Sequence, residues 1–398
     1  MSRFWFVVPP LVGHINPTIA VAAELTRRGH DVAWAGMTEA VRPLVGPDAR
    51  VLPCAGPELA GTDAIRPADA RGPLAFKYLW EAFLVPLAEL MIADLEHAVD
   101  TFAPDVLVVD QQAVAGAIVA ERRGLPWATS ATTSAELTDP LAGMPKVAQW
   151  VRELLLDLET RFGTPDPARY ARTFGDLRFS PHLVLAYSTV ELVGKTDEFG
   201  DELHFVGPSL APRPMSLPFP KEFLDAAGEP VPAVLVSLGT ANADAGERFL
   251  TESIAALERR PALRGVVVDP TDTLTSDAPN VLVRKQIPQL ELLPRMSAVL
   301  CHGGHNTVCE ALFHRLPLVI APIRDDQPII AQQVQDAGAG LRLRFGRANA
   351  EQIGAALDTV LADPSFGASA RRIGDSFRTA GGAPAAAEAL ENLTARTG

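Results

Sequence analysis

Residues 298–312 read AVLCHGGHNTVCEAL, and residues 322–327 read PIRDDQ. The first segment opens with an apolar strand pattern, turns at Gly303 and Gly304, and continues with the apolar spacing that is typical of a helix. A strand, a glycine turn and the start of a helix direct unpaired backbone N–H groups and the positive end of the helix toward one point. The segment therefore predicts an α/β fold in which this loop binds an anion such as a phosphate.

Side chains along this segment add hydrogen-bonding groups to the loop. His302, Asn306 and Thr307 can donate to phosphate oxygens, and Gly304 lets the backbone approach them closely. Glu310 lies about one turn into the helix, where it cannot help to bind phosphate but can accept hydrogen bonds from ribose hydroxyls. Together these residues predict a site for a nucleoside diphosphate.

A second glycine loop supports this interpretation. Residues 234–240 read VLVSLGT, an apolar strand that ends in small residues, with Thr240 as a further donor. Neither loop continues with Gly-Lys-Ser/Thr, as a mononucleotide P-loop does, and neither contains the dinucleotide fingerprint Gly-x-Gly-x-x-Gly. The sequence therefore disfavours ATP hydrolysis and hydride transfer.

Strand and helix patterns alternate in both halves of the chain, which predicts two α/β domains, each with a parallel sheet. A chain of 398 residues is also longer than one ordinary core. Five prolines within 208–220 exclude a helix or a central strand between the halves. We expect a first domain over 1–205, a proline-rich linker over 206–225, a second domain over 226–380 and a final helix within 381–398.

Composition excludes several classes of protein. The chain has 35 basic and 48 acidic side chains, a formal net charge of −13, so we expect no nucleic acid as a partner. Its cysteines, Cys54, Cys301 and Cys309, form no even disulfide framework, which favours a cytoplasmic location. No apolar run reaches the ~20 residues of a membrane span, and the run at 4–8 predicts a first strand rather than a signal peptide.

His14 is the candidate for a general base. It lies in a loop after Gly13, ahead of a helix predicted to start near Pro17, and the positive end of that helix favours the neutral imidazole. Asp110, at the end of a predicted strand over 105–109, is the candidate carboxylate that orients the ring. The alternatives are a histidine that ties the loop together and an aspartate that caps the next helix.

In these residues the chain resembles the inverting GT-B glycosyltransferases that use nucleotide sugars, and above all their bacterial macrolide and antibiotic branch. The pair at 13–14, the run at 301–310 and the pair at 326–327 match the pattern of that family in order and spacing. The resemblance implies two Rossmann-like parallel-sheet domains facing across a cleft, with the last helix crossing back to the first domain. It also implies that His14 is the base and that Asp110 orients it.

The resemblance further implies which residues bind the donor. Ile287 would contact the nucleobase through its backbone, Gln289 would lie near the ribose, and Asp326 and Gln327 would hold hydroxyls of the sugar. Gln286 occupies a position where many members of the family have a tryptophan that stacks on the base. The sequence therefore leaves uracil and thymine open, and the Asp-Gln pair favours UDP-glucose over a dideoxy sugar.

No metal or other cofactor is expected. The chain has no Asp-x-Asp pair placed for a divalent ion, so protein donors and the helix dipole are expected to stabilise the diphosphate. The competing interpretation is a metal site, because Cys301, His302, His305 and Cys309 fall within nine residues. Their spacing matches no Cys-x-x-Cys framework, which favours buried, apolar thiols instead.

The expected function is transfer of a hexose from a UDP- or dTDP-sugar to a hydroxyl of a lipophilic natural product. The amphipathic segments 74–102 and 144–162 are expected either to line the acceptor pocket or to be ordinary core-facing helices. The alternative is a relative that transfers no sugar, either a nucleotide-sugar epimerase or a catalytically silent binding partner. A silent partner would not need His14 as a base. The sequence leaves a monomer and a homodimer open.

Overall fold

The computed structural model describes residues 1–54, 72–171, 174–196, 199–211, 217–225, 231–239 and 246–397, and Thr240 lies outside these ranges. The chain forms two compact units. Unit 1 comprises Met1–Pro214 and Thr379–Gly398, and unit 2 comprises Met215–Arg378. The boundary falls within the proline-rich segment 206–225, and the C-terminal part of unit 1 begins at Thr379.

The elements of the described residues alternate between strand and helix. The strands are β1 (Arg3–Val7), β2 (Asp31–Gly36), β3 (Val51–Pro53), β4 (Val106–Asp110), β5 (Trp127–Ala131), β6 (Val184–Ala186), β7 (Leu203–Phe205), β8 (Ala233–Ser237), β9 (Arg264–Val268), β10 (Val281–Arg284), β11 (Ala298–Cys301), β12 (Leu318–Ile320) and β13 (Gly340–Arg342).

The α-helices are α1 (Val12–Arg27), α2 (Thr38–Val45), α3 (Gly72–Tyr78), α4 (Val85–Phe102), α5 (Ala115–Arg123), α6 (Pro145–Phe162), α7 (Val190–Val193), α8 (Lys221–Leu224), α9 (Glu247–Glu258), α10 (Gln289–Leu292), α11 (His305–Phe313), α12 (Gln327–Asp336), α13 (Ala350–Ala362), α14 (Pro364–Thr379) and α15 (Ala383–Thr397). A π-helical turn, Leu79–Leu84, joins α3 to α4, and short 3-10 turns lie at Ser134–Thr138 and Arg169–Ala171.

The sheet of unit 1 is parallel and is covered on both faces. Its strands lie in the order β3-β2-β1-β4-β5-β6-β7. Successive side chains of a strand point to opposite faces. Phe4 and Phe6 therefore pack with α1 and α15 on one face, and Trp5 and Val7 pack with α4 on the other. Two covered faces explain why the interiors of β1 and β4 are continuous apolar runs.

The last helix packs on unit 1. Glu391 in α15 accepts hydrogen bonds from Arg28 Nη1 at 2.6 Å and from His30 Nε2 at 2.8 Å. The backbone N–H of Ser2 donates to His30 Nδ1 at 3.1 Å, so both ring nitrogens of this histidine are engaged. Beneath these polar contacts, Leu390 is fully buried among the side chains of β1 and α1. The C-terminal helix is thus held by an apolar face and by a charged rim.

Unit 2 has a second parallel sheet, in the order β10-β9-β8-β11-β12-β13. One of its faces packs against α9 and α13 through an apolar cluster that includes Phe249 and Ile353. In both units the strand order runs outward in two directions from a central pair, β1 with β4 and β8 with β11. Ligands of such sheets bind at the carboxyl ends of these central strands.

The predicted fold class, two Rossmann-like domains with parallel sheets, is confirmed. The segments 74–102 and 144–162 are helical as expected. The sequence analysis gave no helix for α2 or α14. Among the helices of the described residues, none combines the length and the apolar character that a membrane span requires.

Candidate active site

His14 lies in the first turn of α1, not in a loop ahead of it. The helix begins at Val12, with Leu11 as its N-cap, and Pro17 lies inside it. The prediction that the helix starts near Pro17 was wrong because proline most often marks the first turn, whereas here it follows a turn that is already formed. His14 is therefore fixed by helical backbone and still lies at the positive end of the helix.

His14 and Asp110 form a hydrogen-bonded pair. The Nδ1 atom of His14 lies 2.9 Å from Oδ1 and 3.0 Å from Oδ2 of Asp110. The Asp110 side chain is fully buried, and the His14 side chain is 15% exposed. A carboxylate only accepts hydrogen bonds, so Nδ1 carries the proton and the basic lone pair of the ring is on Nε2. This is the geometry of a base with an orienting carboxylate.

Asp110 does not cap the following helix. The N-cap of α5 is Val114, without a side-chain bond, and the Asp110 carboxylate is used elsewhere. Its Oδ1 accepts from the backbone N–H of Gln112 at 2.8 Å, and its Oδ2 accepts from the hydroxyl of Thr132 at 2.8 Å. Thr132 was not predicted from the sequence as a site residue. The signal that could have identified it is its position directly after β5, the strand that follows β4 in the chain.

In unit 2 the two glycine loops meet at the ring of His302. Strands β8 and β11 are neighbours, with Ser237 opposite Cys301. A Cβ atom on Gly239 would lie 2.8 Å from the His302 ring, and one on Gly304 would lie 2.4 Å from it. A side chain at either place would displace the His302 ring, because real Cβ atoms essentially never approach other heavy atoms that closely. The two predicted loops therefore form one structure around one buried histidine.

His302 is held in its neutral form. Burial lowers the pKa of His302, the nearby Ser237 backbone acts in the opposite direction, and the Arg324 cation adds to the lowering, which brings the pKa to about 4. The ring can therefore donate a hydrogen bond to an oxyanion but adds no positive charge near neutral pH. Its Nδ1 atom is buried and has no hydrogen-bond partner among the described residues. Arg324, itself buried, is a cation beside this loop to which the sequence analysis gave no role.

The helix after the glycine loop begins directly at the end of that loop. Helix α11 begins at His305, two residues before Thr307, with Gly304 as an N-cap that makes no side-chain bond. Asn306 and Thr307 are therefore first-turn residues, and both are partly exposed. The backbone N–H groups and the side chains of this turn share the positive end of the helix, as an anion site requires.

Two residues predicted to lie near the ribose are in direct contact. The amide Nε2 of Gln289 donates to Oε2 of Glu310 at 2.6 Å, and both side chains are buried. Of the neighbouring loop residues, Gln286 is exposed and Ile287 is half-buried, and the Ile287 carbonyl accepts from the Gln289 N–H at 2.9 Å. The tertiary structure thus joins segments that are 21 residues apart in the chain.

Asp326 and Gln327 occupy the start of α12. Gln327 Oε1 accepts from the backbone N–H groups of Ile323 at 2.9 Å and of Arg324 at 3.1 Å. Its oxygen therefore shapes the loop, and its NH₂ group is the part that can serve a ligand. Asp326 is half-buried at the N-cap position of α12 but makes no side-chain capping bond there.

The Cys/His cluster shows one internal contact. Cys309 Sγ lies 3.5 Å from His305 Nε2, one helical turn away. Within the described residues, no group of three or more His, Cys, Asp or Glu side chains is placed to hold a metal ion. All the cysteines are free and buried, and burial raises the pKa of the Cys301 thiol to about 12. Cys301 is therefore a protonated, apolar side chain near neutral pH.

Comparison with known proteins places the chain in a family. Residues 204–375 match the family model described as "UDP-glucoronosyl and UDP-glucosyl transferase". The chain is 30% identical to 4'-demethylrebeccamycin synthase of Lentzea aerocolonigenes, over 98% of this chain and 99% of that protein. The chain belongs to this glycosyltransferase family. The family resemblance expected from the sequence is confirmed.

Two further comparisons support the assignment to the glycosyltransferases. The chain is 29% identical to demethyllactenocin mycarosyltransferase of Streptomyces fradiae, over 99% of this chain and 87% of that protein. The solved structure of the glycosyltransferase of kitacinnamycin superposes with a TM-score of 0.78 at 23% identity, covering 98% of this chain and 99% of that one. This structural likeness shows that the glycosyltransferase has the GT-B fold.

The neutral state of His302 in the glycosyltransferase predicts a specific pH dependence of stability. The folded pKa, about 4, lies below the ordinary value of 6.5, so the unfolded chain binds more protons between these pH values. The free energy of unfolding should therefore rise with pH through this window, by roughly 3 kcal/mol from this residue. Denaturant unfolding followed by circular dichroism, at pH values between about 4 and 7, measures this dependence.

The His302→Gln variant removes the titrating ring and should flatten that rise, whatever its own stability. His97→Gln, which replaces an exposed histidine, is the matched control and should keep the wild-type dependence. A wild-type slope in His302→Gln would show that the ring is not buried in its neutral form.

Proposed function

We propose that this glycosyltransferase is an inverting enzyme that moves a hexose from a UDP- or dTDP-sugar to a hydroxyl of a lipophilic natural product. The observation that carries the proposal is the hydrogen-bonded pair of His14 and Asp110 at 2.9 Å. A protein that only binds a nucleotide sugar needs no such base. The pair therefore favours transfer over a catalytically silent partner.

In the proposed reaction, unit 1 activates the acceptor. Nε2 of His14 takes the proton of the acceptor hydroxyl while the hydroxyl oxygen forms a bond to the anomeric carbon of the sugar. The bond from that carbon to the diphosphate oxygen breaks, and its electron pair leaves with the nucleoside diphosphate. Because attack and departure occur on opposite faces of the carbon, the configuration inverts. Asp110 then stabilises the imidazolium that has formed.

Unit 2 binds the donor in this proposal. The loops around His302 and the first turn of α11 suit the diphosphate, because they present N–H and hydroxyl donors at a positive helix end. The residues proposed to bind the donor are Thr240, Gln286, Ile287, Gln289, His302, Gly304, Asn306, Thr307, Glu310, Asp326 and Gln327.

Arg324 supplies the positive charge that the neutral His302 does not. The leaving group carries several negative charges, and a buried guanidinium stabilises them more strongly than an exposed one, because solvent screens it less. The uncharged donors fix the direction of the diphosphate oxygens. We propose that this combination makes a metal ion unnecessary.

The sugar and the acceptor rest on different observations. The half-buried Asp326 carboxylate and the NH₂ group of Gln327 suit a sugar rich in hydroxyls, which favours glucose. The exposed Gln286 offers no aromatic stacking surface, so uracil and thymine nucleotides both remain in the proposal. The names of 4'-demethylrebeccamycin synthase and demethyllactenocin mycarosyltransferase point to complex natural products as acceptors.

Replacing the base should abolish most of the turnover. His14→Ala should lower kcat by a factor of about 10²–10⁴, the usual contribution of a positioned base, with the affinity for UDP nearly unchanged. Asp110→Asn should cause a loss of up to about 10⁴, because an amide no longer fixes the Nδ1–H tautomer. Steady-state kinetics and calorimetry with UDP measure the two effects.

The matched control is His204→Ala, the same substitution at an exposed position of unit 1. It should have wild-type kinetics. Full activity of His14→Ala, with the control behaving normally, would refute the base and the mechanism built on it.

Glu310→Gln should weaken the binding of nucleoside diphosphates, because an amide replaces a carboxylate that accepts charge-assisted bonds from ribose hydroxyls. UDP should lose more affinity than dTDP, which lacks the 2′-hydroxyl. Calorimetry measures the affinities of the wild type and of Glu310→Gln for UDP and for dTDP.

Glu351→Gln is the matched control, since Glu351 is exposed and lies in the first turn of α13. It makes the same change from carboxylate to amide at a place without any ribose contact. Equal losses for UDP and dTDP in Glu310→Gln would reject recognition of the 2′-hydroxyl. Unchanged affinity with a lowered Tm would reduce Glu310 to its buried hydrogen bond with Gln289.

Removal of metal should leave transfer unchanged. EDTA should not alter the initial rate, because the proposed charge on the diphosphate site comes from Arg324 and from uncharged donors. The measurement is the rate before and after chelation, followed by addition of manganese or zinc. If activity were lost in EDTA and restored by either ion, the proposal would be refuted. The Cys/His cluster would then be the candidate metal site.

A further inference from the structure

The His14–Asp110 pair has a third member, the hydroxyl of Thr132. Its Oγ1 lies 2.8 Å from Oδ2 of Asp110 and 2.8 Å from Nδ1 of His14. Thr132 is 3% exposed, so water does not compete for these contacts. A buried hydroxyl in contact with both members of a base pair is in a position to control their geometry.

The directions of these hydrogen bonds follow from the groups. The ionised Asp110 only accepts, so the single hydroxyl proton of Thr132 goes to Oδ2. Oγ1 therefore presents a lone pair to Nδ1, and the Nδ1–H of His14 is surrounded by three oxygens at 2.8, 2.9 and 3.0 Å. Each of these oxygens favours the tautomer with the proton on Nδ1 and the basic lone pair on Nε2.

The fold places Thr132 on the correct face. Ser130 in β5 is the register partner of Asp110 in β4, and the chain turns just after β5, where the Thr132 N–H donates to the Ser130 carbonyl at 3.1 Å. Thr132 directly follows β5, and its contacts with Asp110 and His14 show that its hydroxyl lies on the side of α1.

Two further groups face Asp110. Its Oδ1 accepts from the Gln112 N–H, and its Oδ2 accepts from Thr132, so each of these oxygens has an uncharged donor besides His14. Tyr187 is a titratable group that acts electrostatically with Asp110, and its hydroxyl lies 3.3 Å from Ser130 Oγ. Burial raises the pKa of Tyr187, which keeps it a neutral phenol at the working pH.

We propose that Thr132 is a positioning residue for the base: its hydroxyl holds the Asp110 carboxylate in the plane that serves Nδ1 and fixes the ring of His14 for proton transfer at Nε2. The inference rests on the proposed function, since it needs His14 to act as a base. Without the hydroxyl, Oδ2 loses its uncharged donor and places more of its charge on the imidazolium. The protonated ring is then favoured, and the base is lost at a higher pH.

The test compares Thr132→Val, which keeps the shape and removes the hydroxyl, with Thr132→Ser, which keeps the hydroxyl. Thr132→Val should lower kcat about ten-fold and move the acid limb of the kcat profile upward by about half a pH unit, the scale of one hydrogen bond. Thr132→Ser should restore both values most of the way. The KM for the donor should change little in either variant.

Thr129→Val is the matched control on the same strand. Thr129 is also buried, and its hydroxyl donates to the Arg178 carbonyl at 3.1 Å and accepts from the Ser180 N–H at 2.7 Å, away from the pair. This variant should lose stability, because it leaves buried backbone groups unpaired, but it should keep the wild-type pH profile. The control separates loss of a buried hydroxyl from loss of this particular one.

The double variant His14→Ala with Thr132→Val distinguishes the two levels of the proposal. If His14→Ala has the expected low kcat and Thr132→Val does not lower it further in that background, Thr132 acts through the base. If His14→Ala is inactive while Thr132→Val alone keeps the wild-type rate and profile, the positioning role is refuted and the proposed function stands. If His14→Ala is fully active, the proposed role of His14 as the base is refuted, and the positioning role of Thr132 is refuted with it. A raised donor KM with an unchanged pH profile would also refute positioning, because it would mark Thr132 as a donor contact.

Discussion

Parallel strands that are covered by helices on both faces accept almost no polar side chains along their length, and the rest of the structure depends on this constraint. The interiors of the central strands β1, β4, β8 and β11 are apolar and buried. Most polar groups therefore enter where a strand ends and the chain turns. Asp110, Thr132, His302 and the loop after Ser237 all lie at carboxyl strand ends. The same constraint that builds the two cores thus gathers the chemically useful groups.

The buried ionisable side chains of the two candidate sites differ in their surroundings. In unit 1 the carboxylate of Asp110 is completely buried, and it is stabilised by a backbone N–H, a hydroxyl and an imidazole N–H. Such donors offset the cost of removing a carboxylate from water. In unit 2 the buried His302 is neutral instead, and Arg324 nearby carries the charge. A charged base partner and an uncharged anion donor are what glycosyl transfer would require of these positions.

Several of the candidate site residues also make hydrogen bonds within the protein. Gln327 uses its oxygen to fix the loop that carries Arg324, and Gln289 is bonded to Glu310. Asp110 likewise fixes the turn after β4 through the Gln112 N–H. Because these bonds exist without a ligand, the groups are preorganised, and little reorganisation is needed on binding. A substitution at these positions therefore changes local structure and ligand contacts together, which is why the proposed variants are paired with controls.

The sequence by itself determined the fold class and the general place of each candidate residue. Alternating strand and helix patterns and the glycine loops are local signals, and they placed His302, Asn306 and Glu310 after a strand and in a helix. The predicted start of α1 was wrong, because Pro17 is a local signal and a helical turn is already formed before it. Helix α14 was not predicted from the sequence. Pairings between distant segments carry no local signal. Only the tertiary structure brings Asp110 into contact with His14, which is 96 residues away in the chain, and with Thr132, which is 22 residues away. It also places both glycine loops against the ring of His302. The physical reason is that sheet order and register, which depend on the packing of the whole domain, decide which strand ends become neighbours.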